Sequence, residues 1–347
     1  MREISGQSLI WSSTRRERSS GQTLQIAVHA AGASVRLDGA AVPVAAAQPT
    51  PVVACASTRP RSATLARMPW VPELFTAPAL QHILDTRRRD ELIAVPYFDG
   101  LFAGEPDALV ESFAGEPVVH DPVRGRIQGE AAFRAFVAEF SAWLEARNVT
   151  IHDVDHVILE AGGFEEVLLH LDDDAHGRIE LPFAIVGDHP TDGRLTELRI
   201  YYSGWQLTGR HLNRPPLHQP DPALHESDVV AEYQRALAAG DVDAIVATFE
   251  PDGYAREPAG GPFIHRGEDE LRAFYTAMFS NGGGIPLEHC ASYDDGHACA
   301  LEYNIVRWGE TDLTPQAGVA IYVRGGSGRL AAARTYDDAD PPGGTRG

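Results

Sequence analysis

Hydrophobic and polar positions follow the same course in two stretches of the chain. In the downstream stretch, Val229, Val230, Tyr233 and Leu237 recur at helical spacing behind an N-cap candidate at Ser227, and Gly240 stops the helix. Asp241 then caps a short helix predicted over 242–249, and a third is predicted over 268–279 after a loop carrying Glu257-Pro258. Strand-like runs follow over 286–292, 298–308, 318–324 and 329–336, separated by Gly/Asp turns. Upstream, the order is a helix ending at Gly104, helices over 107–113 and 130–144, and strands over 149–159, 165–172, 178–186 and 194–203. Pro96 is expected to bend the first of these helices. Three helices followed by a run of antiparallel strands predict an α+β fold, with helices packed on one face of a curved sheet.

The two stretches are copies. Tyr97 precedes Asp121-Pro122, and Tyr233 precedes Glu257-Pro258, by 24 residues in both cases. Gly129-Glu-Ala-Ala-Phe-Arg-Ala-Phe136 matches Gly267-Glu-Asp-Glu-Leu-Arg-Ala-Phe274. A repeat of this length is a domain and not a solenoid unit. The expected organisation is a leader over 1–75, a first domain over 78–210, a Pro-rich linker over 211–225, a second domain over 226–340 and a tail over 341–347.

Residues 1–67 show little periodicity and read as disordered, with three prolines spoiling the apolar run 42–56. Met68 stands just before Pro69-Trp70, so a misassigned upstream start is as good an expectation as a functional leader. A hydrophobic content of 44% lets each copy build a core. The formal charge of −20 argues against a nucleic-acid or anionic-membrane partner. All basic residues are arginines. Three cysteines without CxxC spacing fit a reducing, cytoplasmic compartment, and neither a signal-peptide pattern nor an 18-residue apolar run is found.

A tyrosine-bearing helix, a Gly-Asp turn, a short helix, an Asp/Glu-Pro loop and a Gly-x-x-x-[Leu/Phe]-Arg-Ala-Phe helix resemble the nuclear transport factor 2-like superfamily. Within it, the copies look most like ketosteroid isomerases and SnoaL-like polyketide cyclases. The resemblance implies two tandem cone-shaped domains, each with an apolar pocket, paired within the chain as a pseudo-dimer. It implies a cofactor-independent isomerase, cyclase or epoxide hydrolase acting on an apolar polyketide- or terpenoid-like metabolite. A non-catalytic ligand-binding protein is the rival reading, because this fold hosts many functions.

Carried over residue by residue, Asp121 and Glu257 would be general bases, and Tyr97 and Tyr233 oxyanion donors. Each has a plainer alternative: a turn-starting acid or a core tyrosine. The isomerases' protonated acid falls near Ala320 in the second copy and Phe183 in the first. Neither donates a hydrogen bond, and losing one such donor costs about 10²–10³ in rate, which disfavours a true steroid isomerase. The first copy is expected to be the more active, since Asp121-Pro-Val-Arg-Gly lies closer to the isomerase pattern. Strand alternation puts His170, Glu302 and Asn304 forward as pocket residues. Arg199 and Arg334 would serve either as partners in an epoxide-hydrolase-like water-activating set or as interface arginines. His152 and His156 share a strand face without an evident third ligand, so no metal is expected.

Overall fold

The structure, a computed structural model, describes the backbone of residues 25–29 and 32–36, and then residues 101, 106–174, 176–189 and 194–342. The chain divides into a unit Met1–Pro69 and a unit Trp70–Gly347. In the first, β1 (Gln25–His29) and β2 (Gly32–Arg36) pair antiparallel. This corrects the reading of a leader without regular structure. Two five-residue alternating runs two residues apart suffice for a hairpin, and they are too short to stand out in a Pro- and Ala-rich background. The rest of 1–67, together with Tyr97 and the bend expected at Pro96, lies outside the described residues.

The second unit contains two sheets of one design. The first domain comprises α1 (Pro106–Ser112), β3 (Val118–Asp121), β4 (Gly125–Gln128), α2 (Glu130–Ala146), β5 (Thr150–Leu159), β6 (Gly162–Asp173), β7 (Gly177–Asp188) and β8 (Glu197–Tyr201). A short α3 (Trp205–Thr208) opens the connection to the second domain. There α4 (Asp228–Ala239), α5 (Val242–Thr248), β9 (Phe249–Arg256), β10 (Ile264–Arg266), α6 (Gly267–Met278), β11 (Leu287–Asp294), β12 (Ala298–Trp308), β13 (Thr311–Arg324) and β14 (Leu330–Tyr336) follow. Strand order is β4-β3-β8-β7-β6-β5 and β10-β9-β14-β13-β12-β11. Among the described strands, the β3–β8 and β9–β14 pairs are parallel and the other pairs antiparallel. The fold is thus two tandem α+β domains of the nuclear transport factor 2-like type.

Local signals placed most of these elements. Gly240 ends α4 in the left-handed region (φ 69°), and the Asp241 side chain accepts from the Ala244 amide at the start of α5. Ser227 makes no capping hydrogen bond; Asp228 caps instead, accepting from the Val230 amide at 3.1 Å. The acid-proline segments, read from the sequence as loops, are hairpins formed by β3–β4 and β9–β10. Their strands are only three to eight residues long and were missed for that reason.

Each sheet buries both faces. On β12, Leu301, Tyr303 and Ile305 face their own domain's helices, whereas Ala300 joins a third core made with the other sheet. That seam packs Phe164, Val186 and Tyr201 of the first domain against Tyr293, Ile321 and Tyr336 of the second. Alanines 184, 298, 300 and 332 let the sheets approach closely. At Gly162 a Cβ would lie 2.5 Å from the Tyr293 ring, so only glycine fits.

Within this apolar seam lie two equivalent ionic clusters. Arg199 donates from Nε to Glu302 Oε1 (2.7 Å) and from Nη2 to Glu302 Oε2 (2.9 Å), and the Tyr201 hydroxyl donates to the same carboxylate. In the mirrored cluster, Arg334 makes both contacts to Glu166, and the Tyr336 hydroxyl donates to it at 2.6 Å. Arg199 also binds Asp188, and Arg334 also binds Asp155.

Candidate functional site

The second domain encloses a cavity of about 1140 Å³ between its helices and the concave side of its sheet. Tyr233, Leu237, Phe274, Tyr275, Ile305 and Trp308 give it an apolar, mostly aromatic wall, and Ala320 lies in its floor. Tyr233 faces inward because Val230, Tyr233 and Leu237 share the buried stripe of α4. Its hydroxyl lies 2.8 Å from that of Tyr275, and the Gln234 amide donates to the Tyr322 hydroxyl at 2.6 Å. Burial pushes the Tyr233 phenol up to about 12, with the Tyr275 hydrogen bond pulling the other way. It is therefore a neutral donor at ordinary pH.

Four acidic residues line this space, Glu257, Asp337, Asp338 and Asp340, and the first two directly follow strands of the sheet. Glu257 stands just past the end of β9, in a turn closed by its own carbonyl accepting from the Gly260 amide. Its Oε1 lies 2.7 Å from His265 Nε2, and the His265 ring stacks on Phe274 with centroids 4.2 Å apart. Asp337 follows the last residue of β14, and its Oδ2 accepts from the Tyr303 hydroxyl at 2.9 Å. Burial pushes the Asp337 carboxyl up to about 6; the Tyr303 hydrogen bond opposes this, and the neighbouring Asp338 charge adds to it. Gly318 makes the contact possible, because a Cβ there would come within 2.8 Å of both the Asp337 Cβ and the Tyr303 ring.

A strap from the interdomain connection crosses the mouth, bringing Trp205, Arg210 and His211 to the cavity. Asp338 pins it, accepting from Ser203 Oγ (2.6 Å), the Gly204 amide (2.9 Å), His211 Nδ1 (2.9 Å) and the Leu212 amide (2.6 Å). The bond to Asp338 raises the His211 imidazole above its ordinary value, against the effect of burial.

The first domain is built differently at the same places. Asp121 ends β3 and is nearly fully buried, its Oδ1 capping the following turn through the Val123 and Arg124 amides (2.9 and 2.8 Å). Asp121 does not line the large cavity. Phe183 stacks with Tyr202 and packs on Phe140, with centroids 5.3 and 5.9 Å apart. Among the described residues, aromatic rings thus pack together on the concave side of this sheet.

Several pocket residues expected from alternation lie elsewhere. Glu302 faces the seam, bound to Arg199. Asn304 shares that strand face and donates to the His218 carbonyl at 3.1 Å. His170 lies on the strand face opposite the core, against the His152 ring, 3.9 Å from Glu180. Phe183 does face the cone, where it packs in the first domain's core. Because both faces of these strands are buried, alternation could not tell the cone side from the seam side. Arg199 and Arg334 also lie in the seam, outside the cavity.

Tyr233, Glu257 and Ala320 do meet in one place. The sequence reading missed Asp337, Tyr303, Gly318 and His265. Comparison of Tyr201-Tyr202-Ser203 with Tyr336-Asp337-Asp338 offered a signal, since an acid there replaces a ring in an otherwise matching strand end.

Among the described residues, two groups could bring three ligand atoms within 4.8 Å: Asp188, Glu197 and His218, and Glu226, Asp294 and Cys299. In each, an arginine already binds one acid, Arg199 to Asp188 and Arg324 to Asp294, at 2.7 Å. No helix among the described residues is long and apolar enough to cross a membrane.

A family model described as the SnoaL-like domain matches residues 95–198 and again 230–332, more than half of the chain. The chain belongs to the SnoaL-like domain family. The solved structures below each cover about a third of this chain and most of their own length. A candidate polyketide cyclase from Sinorhizobium meliloti is 21% identical over 32% of this chain and 94% of its own, with a TM-score of 0.27. The epoxide hydrolase/cyclase-like enzyme SalBIII, described in pyran ring formation in the polyether salinomycin, is 22% identical over 33% of this chain and 91% of its own (TM-score 0.27). An NTF2-like protein of unknown function from Cytophaga hutchinsonii is 16% identical over 33% and 93% (TM-score 0.26). A search of curated proteins finds no match.

Proposed function

We propose that the second SnoaL-like domain is a cofactor-independent acid–base enzyme, an isomerase, cyclase or epoxide hydrolase, acting on an apolar polyketide- or terpenoid-like small molecule. The observation that carries this reading is the presence of two carboxyl groups at strand ends, Glu257 and Asp337, in a cavity lined on its helix side by Tyr233, Phe274 and Tyr275. A carboxylate removed from bulk water is a stronger base, and a neutral phenol such as Tyr233 can donate to an oxyanion as it forms. The first domain serves as a rigid partner that buries the second sheet's outer face and supplies the strap over its mouth. The two domains function as a pair within one chain.

The test is a panel of polyketide and terpenoid lactones, enones and epoxides, read by quenching of Trp308 fluorescence for binding and by mass spectrometry for conversion. Conversion by the native chain and its loss in the Glu257→Gln/Asp337→Asn double variant support the reading. Binding without conversion makes the domain a ligand holder.

A further inference from the structure

The acidic residues that line the cavity are not equivalent. Glu257 is about a third exposed and already engaged with His265. Asp337 is held by a single neutral side-chain donor, the Tyr303 hydroxyl, beside a weak 3.5 Å contact from the Ala339 amide. The first domain lacks this pair: at the equivalent places it has Val167 for Tyr303, Tyr202 for Asp337 and Phe183 for Gly318. Three matched changes, a glycine that opens space, a phenol and an acid, occur together at the cavity of the second domain.

We propose that Asp337 is the catalytic carboxylate that takes the substrate proton in this cavity, with Tyr303 as its positioning residue. This rests on the acid–base reading above and narrows it to one group. The other charged groups near Asp337 are Asp338, His211, Arg210 and Asp340 at the mouth, and Glu257 and Arg256 on the β9 side. Asp338 raises the Asp337 carboxyl and His211 lowers it. Asp338 is pinned to the strap through four donors, Glu257 is engaged with His265 and Asp340 is largely exposed at the mouth, which leaves Asp337 the buried carboxylate free to accept a proton.

The probe is 5-nitrobenzisoxazole, an apolar carbon acid that needs no cofactor. The carboxylate takes the C3 proton, the C–H electron pair becomes part of the nitrile bond, the N–O bond breaks, and the coloured phenolate leaves. The proton on Asp337 then returns to water. The full-length chain should accelerate this opening beyond acetate at equal concentration, with a rate rising through an inflection near pH 6. Asp337→Asn should lose about 10²-fold or more, a far larger loss than Glu257→Gln. Tyr303→Phe removes a donor to the carboxylate and should move the inflection to higher pH, a shift that a purely structural tyrosine would not cause. Asp337→Glu should restore part of the rate, which separates chemistry from misfolding.

Retention of the rate in Asp337→Asn with loss in Glu257→Gln overturns the assignment and leaves the acid–base reading standing. Binding of the probe, seen as Trp308 quenching, without acceleration overturns the acid–base reading itself. Failure to bind any apolar probe removes the cavity as a ligand site.

Discussion

Phe183 and Gly318 occupy the same register position in the two sheets, Phe183 opposite Val167 and Gly318 opposite Tyr303. One position therefore separates the two sheets. A phenyl ring in the first domain completes an aromatic stack, whereas in the second its absence admits the Tyr303–Asp337 pair and leaves room above it.

Gly318→Ala is the smallest test of that relationship. The added Cβ must displace Asp337 or the Tyr303 ring, so the variant should lose about 1–3 kcal/mol in chemical denaturation. Binding of apolar dyes in the cavity should weaken in parallel.

Asp337 should also leave a mark on stability. Its folded value of about 6 lies above the ordinary 3.8, so the folded state binds its proton more tightly than the unfolded state. The contribution is therefore most favourable below pH 4 and is lost as pH rises towards 6 and beyond. Asp337→Asn should raise stability above pH 7 by on the order of 1–3 kcal/mol relative to its effect at pH 4, measured by urea titrations at both pH values.

In the seam, removing one member of a buried pair should be costly. Burial alone would lower the Arg199 guanidinium, but the Glu302 and Asp188 carboxylates outweigh it and hold it above its ordinary value. Arg199→Met strands the Glu302 carboxylate and should cost about 3–5 kcal/mol, while Arg199→Met/Glu302→Leu should recover most of the loss. A double variant as unstable as the single would show that the pair does more than satisfy its own charges.

Asp338→Ala should free the strap. Four donors lose their acceptor, and the Gly204 and Leu212 amides should exchange with solvent faster, by at least about tenfold, than in the native chain at the same pH. His211 contributes through its raised imidazole value, so its hold on Asp338 is present at low pH and is lost as pH rises through that value. Trp205, which stacks on His211 at 5.0 Å, reports the release by fluorescence.

The sequence by itself determined the duplication, the order of helices and long strands, and the family, because these depend on local periodicity and on turn residues such as Gly240 and Asp241. It also brought Tyr233 and Glu257 forward, since motif spacing survives in both copies. It could not say which face of a doubly buried strand a side chain takes, so Glu302 and Asn304 were assigned to a pocket when they belong to the seam. Nor could it show that Asp121, which keeps the better motif, caps the turn after its own strand. Only the packing of two sheets face to face, and the space left at Gly318, decided that Asp337 lines a cavity in the second domain. Cavities and buried charges are set by which side chains meet across distant strands, and that information is tertiary.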